Sequence, residues 1–375
     1  MTTPEQAVVE QVNVLIIGGG VIGCALAAEV AQHTSDVFLV EQMPRVGMMT
    51  SSRNSGVIHS GIYYTPGSLK ARFCVEGNRQ SYEFCQAHDV PHRKTGKFVV
   101  ATTSEEEAEL GSLLERGRAN GVEGLELVTA ARLAAHEPNI AARSALWVPS
   151  AGLLASEELV KAYARLATER GANIVTHARL ESAECSRSAA RVRTTRGDIE
   201  ARVVVNCAGL YADAVAALFG NHSYRIYPVR GEYWEARKAR SNLVNGLVYP
   251  APDPGGLSLG VHLTCTLWDT LLIGPNARHV ESKEDYESDR EPVESFCAQA
   301  RRLLPQLTPG DLRPSYSGLR PKLVPPGQPG HGDFIIAPVP ECPCLIHMVG
   351  MDSPGLTAAG SLARHVSTLV RDRLR

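Results

Sequence analysis

The sequence predicts a mixed α/β fold in which a layer of parallel strands is interleaved with an antiparallel sheet. Three observations predict it. First, the apolar run Val12–Ile17 leads through glycines into the Ala-rich segment Val21–Gln32 and then a second apolar run, Val37–Val40. That is strand, helix, strand, the order of a βαβ unit with strands buried on both faces. Second, apolar runs of the same kind return far along the chain at Val203–Asn206 and Leu345–Val349. Third, Tyr224–Gly274 alternates apolar and polar residues between Gly and Pro breaks, as antiparallel strands do. Parallel-type elements in separated blocks imply interleaved domains. We expect residues 1–84, 150–222 and 320–375 in one, and 85–149 with 223–319 in the other.

The remaining elements follow in order. Ser68–His88 reads as a helix, and Ser104 opens another, with Glu107 three residues on completing a capping box. Ser156–Arg170 is an amphipathic helix stopped by Gly171, with the short strand Ile174-Val175 behind it. Leu356–Leu374 is the last helix. The 375 residues suffice for two domains, and 44% hydrophobic with 21% charged residues is ordinary globular composition. A net charge of −2 gives no global field toward nucleic acid or an anionic membrane, so an anionic ligand needs a local basic pocket. No apolar run approaches the ~20 residues of a transmembrane helix. The first eleven residues carry no Lys or Arg, unlike a targeting segment. Nine cysteines without framework spacing suit a reducing compartment, and Cys342-Pro-Cys344 reads as ordinary loop thiols. The expected location is the cytoplasm, with peripheral contact at a membrane left open.

The strongest motif is Gly18-Gly19-Gly20-Val21-Ile22-Gly23, which fits G-x-G-x-x-G after a strand and at a helix start. Gly18 allows the tight turn, Gly20 lets a pyrophosphate approach the backbone, and Gly23 permits close helix–strand packing. The phosphates then meet unpaired N–H groups at the positive end of the helix, along Val21 and Ile22. Glu41, followed by Gln42, ends the second strand where a carboxylate accepts ribose hydroxyls. The motif predicts a Rossmann-like dinucleotide site without choosing between NAD and FAD. Ser51-Ser52-Arg53-Asn54-Ser55-Gly56, crowded with small donors, can run along a pyrophosphate toward a flavin or can be a polar surface loop.

Continued through Val57-Ile58-His59-Ser60-Gly61-Ile62-Tyr63-Tyr64 and Pro66-Gly67-Ser68-Leu69-Lys70-Ala71, that segment resembles the L-2-hydroxyglutarate dehydrogenase/oxidase family of D-amino-acid-oxidase-like flavoproteins. The resemblance continues at Val204–Leu210, Arg230–Tyr233, Tyr249–Pro254, Gly260–Thr264, Gly274–Ala277, Gly318–Lys322 and Asp352–Thr357. Arg53 and Cys265-Thr266-Leu267-Trp268 depart from the family pattern.

The resemblance implies a Rossmann-like FAD-binding domain interleaved with an antiparallel substrate domain, and FAD held non-covalently. It sets Ser51, Ser52, Arg53, Asn54, Ser55 and Gly56 on the cofactor, with His59 beside the flavin. It gives Val175 a backbone contact to adenine, and it puts Ala208 and Gly209 at the close approach of strand and cofactor. Gly350 and Ser353-Pro354-Gly355-Leu356-Thr357 correspond to the loop that aims N–H groups at the flavin. Arg320 matches the position that clamps a substrate carboxylate, which suits a guanidinium fork, and Lys70 or Lys322 engages a second acidic group.

Oxidising a 2-hydroxy acid removes a hydride from C2 and a proton from the hydroxyl, so a base is useful near neutral pH. Histidine titrates closest to that range. His59 and His262 are the two candidates, with Tyr63 and Tyr64 as hydroxyl donors. The expected reaction is oxidation of a small anionic 2-hydroxy acid, L-2-hydroxyglutarate first, with hydride passing to flavin N5. The alternatives are an amine or D-amino-acid oxidation on the same fold, a less favoured glycerol-3-phosphate-type oxidation, or a flavin-binding protein without turnover. Oxygen or a quinone takes the electrons.

Overall fold

The computed structural model describes residues 9–186, 188–252, 259–328, 330, 332–340 and 342–375. Its first sheet is built on Val9–Ile17, which pairs in parallel with Val37–Val40 on one side and Gly197–Asn206 on the other. Asn173–Val175 extends it in parallel beyond Val37–Val40, and Cys342–Val349 joins in parallel on Gly197–Asn206. The strand expected at Val203–Asn206 is therefore longer, because its first half carries an antiparallel meander, Leu180–Cys185 and Ala190–Thr194.

The helix Val21–Val30 stops two residues before the expected Gln32 and is buried along nearly its whole circumference. It is apolar all round because it lies among the sheet, Ser156–Glu169 and Gly355–Leu374, whose side chains join one hydrophobic core. Leu69–Ala87 packs on the last helix. Its Ser68 hydroxyl accepts from the Ala71 N–H, which fixes the helix start near the expected residue.

The second sheet contains Tyr227–Ala236, Leu247–Pro250, Leu263–Cys265, Leu271–Ile273, Arg278–His279 and Leu312–Lys322, joined by Lys97–Ala101, Ser144–Val148 and Glu126–Thr129. Its longest pairing is antiparallel, from Tyr227 opposite Lys322 to Ala236 opposite Leu312. Antiparallel pairing holds through the predicted region, and Leu247–Pro250 additionally runs parallel to Lys97–Ala101. Asp253-Pro254 lie outside the described residues. The strand Leu312–Lys322 crosses the boundary expected at residue 320, so Arg320 and Lys322 stand on the second sheet.

Two further expectations change. The helix after residue 103 is capped by Thr103, whose hydroxyl accepts from the Glu106 N–H, while the Glu106 carboxylate accepts from the Thr102 N–H. The capping pattern is displaced by one residue because Glu107 is drawn to Ser144 and Arg143. Cys342 and Cys344 are not loop thiols: they open the strand Cys342–Val349, and Cys342 is bonded to Cys185.

Candidate active site

A cavity of about 1100 Å³ runs from the C-terminal ends of the parallel strands to the second sheet. This is where an open α/β sheet binds ligands. Of the residues expected on a cofactor, Gly18, Gly20, Val21, Ile22, Glu41, Gln42, Ser51, Arg53, Asn54, Ser55, Ala208, Gly209, Ser353, Pro354, Gly355 and Leu356 line it. Gly23, Ser52, Gly56, Val175, Gly350 and Thr357 do not. A Cβ on Gly23 would come to 1.9 Å from the Gly18 carbonyl oxygen. The Val175 carbonyl accepts from the Glu41 N–H, and the Thr357 hydroxyl accepts from the His59 N–H.

The nucleotide end is tight where it packs and open where a ligand would lie. Gly18 has φ +107°, and a Cβ there would sit 2.6 Å from the Cys207 carbonyl oxygen. A Cβ on Gly20 meets only the Ser51 hydroxyl, at 3.2 Å, which leaves free space over the helix start. The buried Glu41 carboxylate accepts from the Gly19 N–H at 2.6 Å and the Met43 N–H at 2.7 Å. Each oxygen keeps a second lone pair for a hydroxyl. Burial raises the Glu41 pKa, although these backbone donors oppose the shift. Asn54 organises its loop, accepting from the Gly56 N–H and the Ser156 hydroxyl. The N-termini of Val21–Val30 and Gly355–Leu374 both open into the cavity, each bringing a positive helix end. An extended dinucleotide with two negative phosphates fits these features.

The opposite end gathers every residue expected on the substrate: His59, Tyr63, Tyr64, Lys70, His262, Arg320 and Lys322. Arg320 spreads its guanidinium over Gly231, where a Cβ would meet its Nη1 at 2.6 Å and its Cζ at 2.9 Å. A side chain there would push the fork from this position. Among the described residues Arg320 has no carboxylate partner, and one long bond, 3.4 Å to the Asn276 carbonyl, steadies it. Lys70 and Lys322 do have a partner: both reach the buried Asp352 carboxylate, at 2.6 and 2.9 Å. Burial would raise the Asp352 pKa, but the two lysines override it and hold the group ionised below the usual carboxylate range. The expectation that either lysine alone takes a second acidic group is therefore modified.

His59 and His262 both face the cavity, His262 buried and His59 half-buried. The His59 Nε2 lies 3.3 Å from the Ser353 hydroxyl, which is also 3.3 Å from the Tyr64 hydroxyl, and its Nδ1 has no partner among the described residues. His262 stacks on the Tyr249 ring at 3.8 Å. Burial, reinforced by the Lys97 charge, lowers His59 to about 3. Burial also lowers His262, with Lys97, Arg320 and His59 adding to the shift. An imidazole titrating near neutrality is thus not what the site contains. Both rings are neutral at pH 7 because a buried cation beside Lys97 is disfavoured.

Lys97 escaped the sequence reading. It starts the strand Lys97–Ala101, is 1% exposed, donates to the Tyr63 hydroxyl at 3.3 Å and lies over the Tyr63 and Tyr249 rings. Burial pushes it down to about 7. A single lysine heading an apolar run was its only trace. Tyr233, Tyr249 and Asp352 were also missed as site residues, although each sits in a segment that carries the family resemblance. Tyr233 stacks near Tyr316, at 4.8 Å between ring centres.

Comparison with known proteins agrees with this geometry. The family model described as FAD dependent oxidoreductase (DAO) matches residues 13–369. An L-2-hydroxyglutarate dehydrogenase of Salmonella houtenae is 34% identical, covering 95% of this chain and 92% of its own. A glycerol 3-phosphate dehydrogenase of Caloramator mitchellensis is 32% identical over 96% of this chain and 74% of its own. Among solved structures, a dithionite-reduced L-alpha-glycerophosphate oxidase from Mycoplasma pneumoniae, with FAD bound, superposes with a TM-score of 0.88 at 27% identity. That match covers 96% of this chain and 95% of the other.

Proposed function

The chain belongs to the DAO family of FAD-dependent oxidoreductases, and on that footing we propose that it oxidises a small 2-hydroxy acid to the 2-oxo acid, with L-2-hydroxyglutarate as the substrate. The observation that carries this reading is the Arg320 fork, seated over Gly231 on the cavity wall with no carboxylate partner among the described residues. A planar guanidinium binds a carboxylate through two parallel hydrogen bonds. Lys70 and Lys322 line the same cavity and would stand near a second anionic group on that molecule.

FAD supplies the hydride acceptor, and the protein supplies orientation, charge and a proton acceptor. We assign the cofactor to the Gly18–Gly23 turn, Glu41, the loop from Ser51 to Ser55, Ala208 and Gly209, and the start of Gly355–Leu374, held without a covalent bond. Arg320 orients the substrate carboxylate. His59 accepts the hydroxyl proton at Nε2, passed through or beside the Ser353 hydroxyl, and His262 is the second candidate from the opposite wall. Both imidazoles are kept neutral, so the accepting form is populated at physiological pH, while the burial that lowers their pKa also weakens them as bases. The residues 1–84, 150–222 and 320–375 form the FAD-binding part in this reading, with Arg320 and Lys322 reaching it from the second sheet. Oxygen or a quinone completes the cycle.

A second reading has its own support. The Caloramator relative and the Mycoplasma structure carry glycerol phosphate names, and glycerol 3-phosphate is likewise an anion with a secondary hydroxyl. Anaerobic mixing of the purified yellow protein with each compound separates the two. Bleaching by L-2-hydroxyglutarate supports the proposal. Bleaching by glycerol 3-phosphate alone replaces it.

A further inference from the structure

Far along the first sheet from the cavity, three cysteines converge. Cys185 ends the strand Leu180–Cys185, while Cys342 and Cys344 open Cys342–Val349. The two strands come together because Gly197–Asn206 pairs with Ala190–Thr194 along its first half and with Leu345–His347 along its second. Alternation in a strand puts residues 342 and 344 on one face. The three sulfurs lie within 4.8 Å of one another, with Cys185 bonded to Cys342. The Cys344 Sγ stands 3.3 Å from the Cys185 Sγ and 3.5 Å from the Cys342 Sγ. Cys342 and Cys344 are 3% and 4% exposed, and none of the three lines the cavity.

We propose that, once the Cys185–Cys342 bond is reduced, the three sulfurs form a trithiolate site for a thiophilic divalent cation such as Zn²⁺. The near-equal distances from Cys344 decide between two uses of a third sulfur. A thiol set to exchange with a disulfide lies along the extension of the S–S bond, close to one sulfur and far from the other. Cys344 lies beside the bond, so the sulfurs form a triangle rather than a relay. A tetrahedral zinc with bonds of about 2.3 Å has sulfur–sulfur edges of about 3.8 Å, a few tenths of an ångström beyond the distances to Cys344. Thiolates select soft ions, and the fourth corner falls to water on the more accessible Cys185 side. In the reduction a phosphine gives two electrons to the S–S bond, and water gives the two thiol protons and the oxygen with which the phosphine leaves as its oxide. Cation binding then displaces the thiol protons. The ion replaces the disulfide as the tie between the Leu180–Thr194 meander and the C-terminal strand, so the fold is held in either form.

The test uses the FAD-loaded protein reduced anaerobically with a water-soluble phosphine and freed of it by desalting. Zinc is titrated against a chromophoric competitor, and Cd²⁺ reports thiolate ligation through its ultraviolet charge-transfer band. We expect one zinc per chain in the reduced protein and none in the oxidised one. Cys344→Ser and, separately, Cys185→Ser each weaken binding at least tenfold while the flavin spectrum stays native. The flavin spectrum shows that each variant is folded, and either variant suffices if the other fails. A disulfide that resists reduction in the native protein, a reduced protein that takes up no zinc, or binding that survives both substitutions overturns the proposal.

Discussion

Arg320, His59 and Lys97 are the three residues on which the proposed chemistry rests most heavily. Removing the Arg320 charge deletes a charge-assisted bond of about 1.5–3 kcal/mol. Arg320→Leu should therefore raise the substrate KM roughly tenfold to a hundredfold with a near-native flavin spectrum, and steady-state kinetics checks it. His59→Gln should slow anaerobic flavin reduction by ~10²–10⁴ while FAD stays bound. Should only His262→Gln slow it, the base belongs to the second sheet. The pH sign follows from burial. His59 is lowered to about 3, so its neutral form persists from neutrality far into acid, and the acid limb of the rate falls well below pH 6. Replacing the neighbouring cation, Lys97→Met, should move that limb upward, because one of the charges opposing protonation is gone. A limb that stays in place would separate Lys97 from the imidazoles. In stability, the unfolded chain protonates its histidine near pH 6.5 while the folded chain resists until about 3. Folding therefore loses stability as pH falls through that window. Arg320 and His59 could be found by resemblance because they lie in ordered blocks of the sequence. Lys97 could not, since its role depends on two tyrosine rings from distant segments closing over it.

At the scale of elements, the first turn and helix were readable residue by residue. The Gly18–Gly23 spacing, the helix behind it and the acid at Glu41 depend on local backbone sterics, which sequence states directly. Gly20→Leu should abolish FAD retention, because the free space over the helix start is where its side chain would go. Flavin content at purification is the readout, and a normal yield would contradict the motif assignment. The longer elements were less legible. Gly197–Asn206 reads as a buried strand only at its second half, because its first half pairs with an exposed meander whose composition is mixed. The displaced cap at Thr103 shows the same limit: the tertiary partners Ser144 and Arg143 claim Glu107, and the preceding carboxylate, Glu106, takes the capping position.

Over the whole molecule, the two sheets divide the labour. The parallel one brings helix N-termini and strand ends to the nucleotide half of the cavity, and the antiparallel one brings Arg320, Lys322 and His262 to the other half. The interleaving was legible because parallel-type runs recur in separate blocks. The convergence of Cys185 with Cys342, 157 residues apart, was not. Since FAD lies between the two halves in this account, its binding should stabilise the folded state by mass action, and the flavin should leave intact on denaturation. Flavin that stays with the denatured chain would contradict non-covalent binding. The central claim, oxidation of a dianionic 2-hydroxy acid, is tested most directly by anaerobic stopped-flow reduction of the bound flavin. The donors are L-2-hydroxyglutarate, its D-isomer, glycerol 3-phosphate and a set of amino acids. The account predicts rapid bleaching by L-2-hydroxyglutarate, slowed strongly in His59→Gln and shifted to higher concentration in Arg320→Leu. Bleaching by an amino acid or glycerol 3-phosphate, with L-2-hydroxyglutarate inert, would contradict it.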